Sequence, residues 1–181
     1  MSITKTRAFT YEDYLLLPED RRYEIIDGDL FMTPSPTTYH QRILRQLERA
    51  LGEHVESRRL GEVLFTPCDV VLSETDIVQP DILFVSQERA SIIGEKNISS
   101  APDLVVEVLS PGTAQRDQTL KAKTYQRYGV RELWIVSPEA RTVEVFVNSD
   151  SGFRREAIYG YGDALRSPLL PGLEIPLDRV F

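Results

Sequence analysis

The chain has 181 residues, a net charge of −7 and 41% hydrophobic residues, the balance of a soluble globular protein. Its acidity argues against a protein that coats nucleic acid non-specifically, because such binding runs on phosphate neutralisation. No apolar run approaches the ~20 residues of a membrane span, the N-terminus lacks an apolar stretch of signal-peptide length, and the single cysteine, Cys68, leaves no internal disulfide or cysteine-cluster metal site. A single cytoplasmic domain over residues 1–181, without a membrane, is expected.

Taken in order, Thr10-Tyr11-Glu12-Asp13 reads as the start of a short helix with Thr10 as N-cap. Arg21–Ile26 and Leu30–Met32 flank Asp27-Gly28, a hairpin signal. Glu24 shares a strand face with Ile26, two residues from Arg22. Thr38 and Gln41 fit a capping box, predicting a helix to about Ser57 with Ile43, Leu47, Ala50 and Leu51 on its apolar stripe. Arg42, Arg45 and Arg49 line another side, either as a solvated face or as a ridge that contacts nucleic-acid phosphates. His40 falls in the first turn, as a local hydrogen-bond partner or as a ligand. Glu62–Leu72 reads as one strand interrupted by Pro67.

Two stretches then organise the chain. Ile77–Val85 and Pro102–Pro111 are short runs of Val, Ile and Leu bounded by Pro and Ser, the pattern of buried strands. Each carries a carboxylate. Asp81 opens the apolar part of the first, and Glu107 sits between Val106 and Val108 in the second. A carboxylate in such a setting is costly unless a cation or an open cleft compensates it. Alternation puts Asp81, Leu83 and Val85 on one face, and Asp103, Val105, Glu107 and Leu109 on one face. If the strands pair, Asp81 and Glu107 converge; otherwise they are two unrelated edge carboxylates.

Residues 86–101 read as a polar connection. A helix is expected from about Thr113 to Tyr128, with Gly129 as its stop and with Asp117, Lys121, Tyr125 and Tyr128 on one face. Two readings of Lys121 stay open, an exposed pair with Asp117 or a cation reaching back toward Glu107. Glu132–Val136 and Thr142–Val147 form a further hairpin, the first strand suited to parallel pairing with 103–109 through a right-handed crossover. A strand near Phe153–Tyr159 and an apolar tail follow, and Leu169–Leu173 in that tail is either a subunit contact or a cover for the core. The sum is a mixed α/β protein.

The chain shows no serine elbow, no glycine-rich phosphate loop and only two histidines. The chemistry therefore falls to Glu24, Asp81 and Glu107 with Lys121 and Tyr125. Hard oxygen ligands suit Mg²⁺, Mn²⁺ or Ca²⁺. Such an ion polarises a phosphodiester, and a nearby lysine orients water or neutralises developing charge.

Pro80-Asp81 followed by Val-Val-Glu107-Val-Leu-Ser-Pro resembles the core of the PD-(D/E)XK nuclease superfamily. More closely, the chain resembles the Uma-two endonuclease family. The similar stretches are Tyr23–Gly28, His40-Gln41, Val78–Val85, Ala101–Pro111, Asp117 with Lys121 and Tyr125, Gly129–Val136 and Pro171–Leu173, in order and over nearly the whole length. The resemblance implies a restriction-endonuclease-like α/β fold, a mixed central sheet flanked by helices, and a metal-dependent phosphodiesterase site. In it Asp81 and Glu107 bind Mg²⁺ or Mn²⁺, and Glu24 and Lys121 complete the catalytic set. It departs from the superfamily pattern at Leu109, where that pattern has its lysine; Lys121 on the next helix would stand in. Two function classes follow: an endonuclease acting on DNA, expected as a homodimer that cuts both strands, or a non-catalytic nuclease-like domain that binds nucleic acid or a protein partner.

Overall fold

In the computed structural model, residues 7–18, 20–110 and 114–181 are described, with the side chains of 114–118 outside that description. The chain runs α1 (Tyr11–Tyr14), β1 (Arg22–Ile26), β2 (Asp29–Thr33), α2 (Thr38–Arg58), β3 (Gly61–Phe65), β4 (Val70–Ser73), β5 (Asp76–Val78), β6 (Ile82–Ser86), β7 (Leu104–Val108), α3 (Ala114–Arg127), β8 (Glu132–Ser137), β9 (Thr142–Ser149), β10 (Gly152–Gly160), β11 (Ala164–Leu165) and β12 (Ile175–Pro176). Strands β10-β9-β8-β7-β6-β3 make the main sheet and β2-β1-β5-β4 a smaller one. The main sheet is mixed. β7 and β8 pair in parallel, as their connection through α3 requires, while β6 and β7 pair antiparallel.

Local chemistry explains the elements. Thr10 and Asp13 close a reciprocal capping box on α1. Asp27 and Gly28 both take positive φ (52° and 77°), the two-residue loop that matches strand twist in a hairpin. A side chain at Gly28 would also strike Ala8, since a Cβ there would lie 2.6 Å from the Ala8 Cβ. The cap of α2 is Thr37, not Thr38: its hydroxyl accepts the His40 N–H at 3.2 Å, so the helix begins one residue earlier than the capping box predicted. Arg59 ends it in the left-handed conformation.

Two expected strands are each divided between sheets. Residues 62–72 split around a cis Thr66–Pro67 bond into β3 and β4. Residues 77–85 split at Pro80 into β5 and β6, because proline has no N–H to give a ladder. The chain thus crosses from one sheet to the other twice, and Asp81 stands at the second crossing. Residues 87–92 form a 3-10 turn inside the expected polar connection. The helix start at Thr113 and the Pro111 stop lie outside the described residues.

Each face of the main sheet has its own core. On one, Ile82, Phe84, Val106, Val108, Trp134 and Val145 pack against Ile43, Leu47, Leu51 and Val55 of α2 and against Leu165, Leu170, Leu173 and Leu177 of the tail. On the other, Leu83, Val85, Val105, Leu133 and Ile135 meet Tyr125 of α3 and Ile26, Val70 and Val78 of the small sheet. Each fully buried aliphatic side chain contributes roughly 1.5–3 kcal/mol. Leu170 and Leu173 are 2% and 3% exposed. Leu170 and Leu173 therefore cover the chain's own core, the second of the two readings of this tail. Among the described residues no helix is long and apolar enough to cross a membrane.

Candidate active site

The register of β6 and β7 decides the convergence that the sequence left open. Ile82 pairs with Val106. One step further along the antiparallel ladder brings Asp81 opposite Glu107, on the face that carries Leu83 and Val105. The Val108 N–H donates to Asp81 Oδ2 at 2.8 Å and fixes that carboxylate against the neighbouring strand. His40, in the first turn of α2, reaches the same point. Its Nε2 lies 3.2 Å from Asp81 Oδ2 and 3.1 Å from the Val108 carbonyl. A carbonyl only accepts, so Nε2 carries the proton. Nδ1 is buried with no partner among the described residues. Burial pushes the His40 imidazole down, but the Asp81 hydrogen bond and charge outweigh it and the net direction is up.

Glu107 is held from the α3 side. Lys121 Nζ donates to both of its oxygens, at 3.1 and 3.3 Å, and the Tyr125 hydroxyl donates to Oε1 at 2.5 Å. Lys121 also sits 2.8 Å from Glu24 Oε1. Glu24 comes from β1 of the small sheet and accepts the Gln79 N–H at 2.7 Å. The Gln79 side-chain amide in turn donates to Asp69 Oδ1 at 2.7 Å and to the Tyr14 hydroxyl at 3.1 Å. The segment between the sheets thus ties them together around Lys121, whose cation bridges a carboxylate from each sheet.

Charge is unevenly matched here. Burial pushes the Glu107 carboxyl up to about 7, and Asp81 and Glu24 add to this against the opposing pull of Lys121. Burial would lower the Lys121 ammonium, but Glu107 and Glu24 hold it above the usual lysine range. The Tyr125 hydroxyl is driven well up by burial and by Glu107. Lys121 is thus held as a cation between two carboxylates, Glu24 and Glu107, with Asp81 opposite Glu107 as a third. A second positive charge fits this excess. Asp81, Glu107 and the Val108 carbonyl offer hard oxygen donors in one place, and the side chains of Asp81 and Glu107 remain 12% and 13% exposed. Mg²⁺ takes one or two carboxylates and completes its shell with water, so the donor set suits it. Among the described residues no group of three or more His, Cys, Asp or Glu is placed to hold a metal ion, so the donor set rests on two carboxylates and a carbonyl.

Asp81, Glu107, Lys121, Glu24, His40 and Tyr125 are thus assembled in one cluster. Asp117 has its side chain outside the described residues, so its pairing with Lys121 is not described; Lys121 pairs with Glu24 and Glu107. Arg42, Arg45 and Arg49 are exposed on α2, which packs on the opposite face of the main sheet from Glu107. Only the N-terminal turn of that helix, through His40, touches the cluster. Sequence reasoning missed Gln79 and the Val108 peptide. Each reaches a site carboxylate through its backbone N–H, a contact for which no side-chain signal exists. It also passed over Arg22, although strand alternation places it on the face of Glu24.

A family model described as "Putative restriction endonuclease", Uma2, matches residues 11–178. The chain belongs to the Uma2 family. A solved structure described as a putative nuclease belonging to DUF820, from Anabaena variabilis, superposes with a TM-score of 0.80 at 21% identity, covering 95% of this chain and 97% of that one. The restriction-endonuclease-like fold expected from the sequence, a mixed sheet flanked by helices, is therefore the fold of this Uma2 chain. Similarity also extends to the ATP-dependent protease ATPase subunit HslU of Syntrophomonas wolfei, 28% identical over 109 residues. That stretch is 59% of this Uma2 chain but only 23% of HslU.

Proposed function

We propose that this Uma2 protein is a divalent-metal-dependent endonuclease that hydrolyses phosphodiester bonds of DNA. The observation that carries the reading is the Glu24–Lys121–Glu107 bridge beside Asp81. Lys121 comes to Glu107 from α3, while Leu109 stands where the superfamily pattern has its lysine, and two carboxylates, one on β7 and one just before β6, face each other. Asp81, Glu107 and the Val108 carbonyl would hold Mg²⁺ or Mn²⁺. When bound, such an ion supplies Lewis-acid polarisation of a phosphoryl oxygen. The chain's own residues do the rest. The Lys121 ammonium faces the negative charge that grows on the phosphorus-bound oxygens as water attacks. Glu24 holds that ammonium in place, Tyr125 fixes the Glu107 rotamer, and His40 orients Asp81 from the opposite side. The arginines Arg42, Arg45 and Arg49 add a positive face that attracts the duplex. A twofold homodimer would bring two such sites to both strands, with an interface other than the buried tail, in the cytoplasm.

The test is cleavage of plasmid and oligonucleotide DNA with Mg²⁺ or Mn²⁺, with EDTA, Asp81→Ala and Lys121→Ala as controls. Nicking or linearisation by wild type, lost in all three controls, is expected. Cleavage by Asp81→Ala at the wild-type rate would overturn the assignment. Binding of DNA without cleavage would favour the non-catalytic reading, for which the acidic net charge of −7 speaks.

A further inference from the structure

We propose that Arg22 is the phosphate grip of this site: its guanidinium, held beside Asp81 by two neutral oxygens, takes a non-bridging oxygen of the DNA backbone. The inference rests on the reading of the cluster as a DNA-cleaving site.

Arg22 opens β1, two residues before Glu24 and on the same strand face. Its Nη1 donates to Thr66 Oγ1 at 2.8 Å and its Nη2 to the Pro34 carbonyl at 3.2 Å. Thr66 is tied in turn to the metal-side strand, since its N–H donates to the Asp81 carbonyl at 3.0 Å. The guanidinium is therefore linked to Asp81 through one residue, Thr66.

The surroundings of this arginine combine fixed anchors with a free charge. Both of its bound acceptors are neutral, and among the described residues no carboxylate lies within ion-pair distance of it. By contrast Arg89, Arg127 and Arg155 each sit on an acid, at 3.2, 2.6 and 2.9 Å. Lys121 is held between Glu24 and Glu107, whereas among the described residues Arg22 has no carboxylate partner. A guanidinium has five N–H donors, and two are used to aim it, leaving the remainder for an incoming anion. Because the fork is already ordered, less side-chain entropy is lost when it meets a phosphate. Arg42, Arg45 and Arg49 are exposed and have no such anchors among the described residues, so they attract without orienting. With the Lys121 ammonium held by Glu24 and Glu107, a phosphodiester approaching these carboxylates is repelled unless a further cation meets it.

The experiment is fluorescence anisotropy of a fluorescein-labelled DNA duplex in EDTA, where nothing is cut, over a range of NaCl. Arg22→Ala should raise Kd about tenfold and lower the slope of log K against log salt by about one, the signature of one lost phosphate contact. Arg22→Lys keeps the charge and should keep the slope while binding more weakly than wild type. Thermal melts of both variants check the fold. Arg22→Ala with the wild-type Kd and slope would overturn the proposal. So would equal weakening in both variants with an unchanged slope, which marks a structural tie between β1 and Thr66, and so would a wild-type protein that binds no duplex at low salt. Cleavage is scored separately. If wild type binds but never cuts and Arg22→Ala loses the contact, the hydrolytic reading fails and the grip stands. If wild type cuts and Arg22→Ala binds normally, the reverse holds.

Discussion

Asp103, immediately before β7, and Glu107, within it, are four residues and about 13 Å apart, and both are largely buried. Asp103 accepts the Ser86 N–H at 2.8 Å and has two guanidiniums, Arg89 at 3.2 Å and Arg131 at 3.5 Å. Burial would raise its carboxyl, but the Ser86 bonds and Arg89 overcome this and hold it below the usual range. At the other end of the strand Glu107 shares the single ammonium of Lys121 with Glu24, has Asp81 opposite, and is pushed up to about 7. The same residue chemistry at the two ends of β7 thus meets surplus positive charge at one and a deficit at the other. A carboxylate with cations to spare is a clamp. One that lacks them at a solvent-reaching point still has a use for a cation, which is how functional sites come to carry perturbed groups.

The sharpest way to break this contrast is Glu107→Gln. DNA cleavage should fall on the order of 10³-fold, since the carboxylate acts only where charge is needed. Melting in EDTA should stay level or rise, because the amide removes a buried charge that has no cation of its own while Lys121 keeps Glu24. A melting temperature that drops by several degrees would mean that Glu107 is a clamp like Asp103. The matching change at the other end, Asp103→Ala, should leave cleavage per folded molecule intact and cost about 2 kcal/mol by stranding the Ser86 N–H, roughly 6 °C for a chain of this size. Its pH dependence has a definite sign. The folded value of Asp103 is depressed, so its stabilisation is present above the unfolded value near 3.8 and is lost as pH falls through the folded one. The gap between wild type and Asp103→Ala should therefore close in acid. A gap that widens there would refute the pairing.

The two ends of β7 were not equally legible in the sequence. Glu107 stood out because a carboxylate between Val106 and Val108 contradicts a buried-strand pattern. Asp103 looked like a strand boundary, since its partners Arg89 and Arg131 come from a 3-10 turn and a loop that no periodicity marks. The helices, the β1–β2 hairpin and the parallel β7–β8 pair followed from caps, turn residues and crossover handedness. The division of residues 62–72 and 77–85 between two sheets did not, because a proline signals a break without saying where the chain goes next. In the site, residue types on a face could be read. What held them, the Gln79 and Val108 N–H groups and the Thr66 and Pro34 oxygens on Arg22, depends on contacts between distant segments.

Glu132 sharpens the contrast with the smallest expected effect. It is 1% exposed, and burial raises its carboxyl from 4.5, against hydrogen bonds that pull the other way. In direction of shift it resembles Glu107. In surroundings it resembles Asp103, because its acceptors are filled by its own structure. Trp134 Nε1 and Ser167 Oγ each donate to Oε1 at 2.7 Å, and the Leu169 N–H donates to Oε2 at 2.9 Å. It lies on the opposite face of the sheet from Glu107 and pins the C-terminal tail. A raised carboxyl means that the folded state holds the proton more tightly than the unfolded one. Its stabilising effect is complete below the unfolded value near 4.5 and is lost as pH rises through the folded value. Glu132→Gln should cost about 1 kcal/mol in acid, where the amide nitrogen faces the Leu169 N–H. That deficit should shrink toward neutral pH as wild type loses what the amide never had. Urea unfolding of both proteins from pH 4.5 to 8 measures the two curves. If they run parallel, Glu132 is not titrating within the fold. If they converge while cleavage stays at the wild-type level, a raised carboxyl alone does not mark a working site, and the opening to solvent and the shared lysine are what set Glu107 apart.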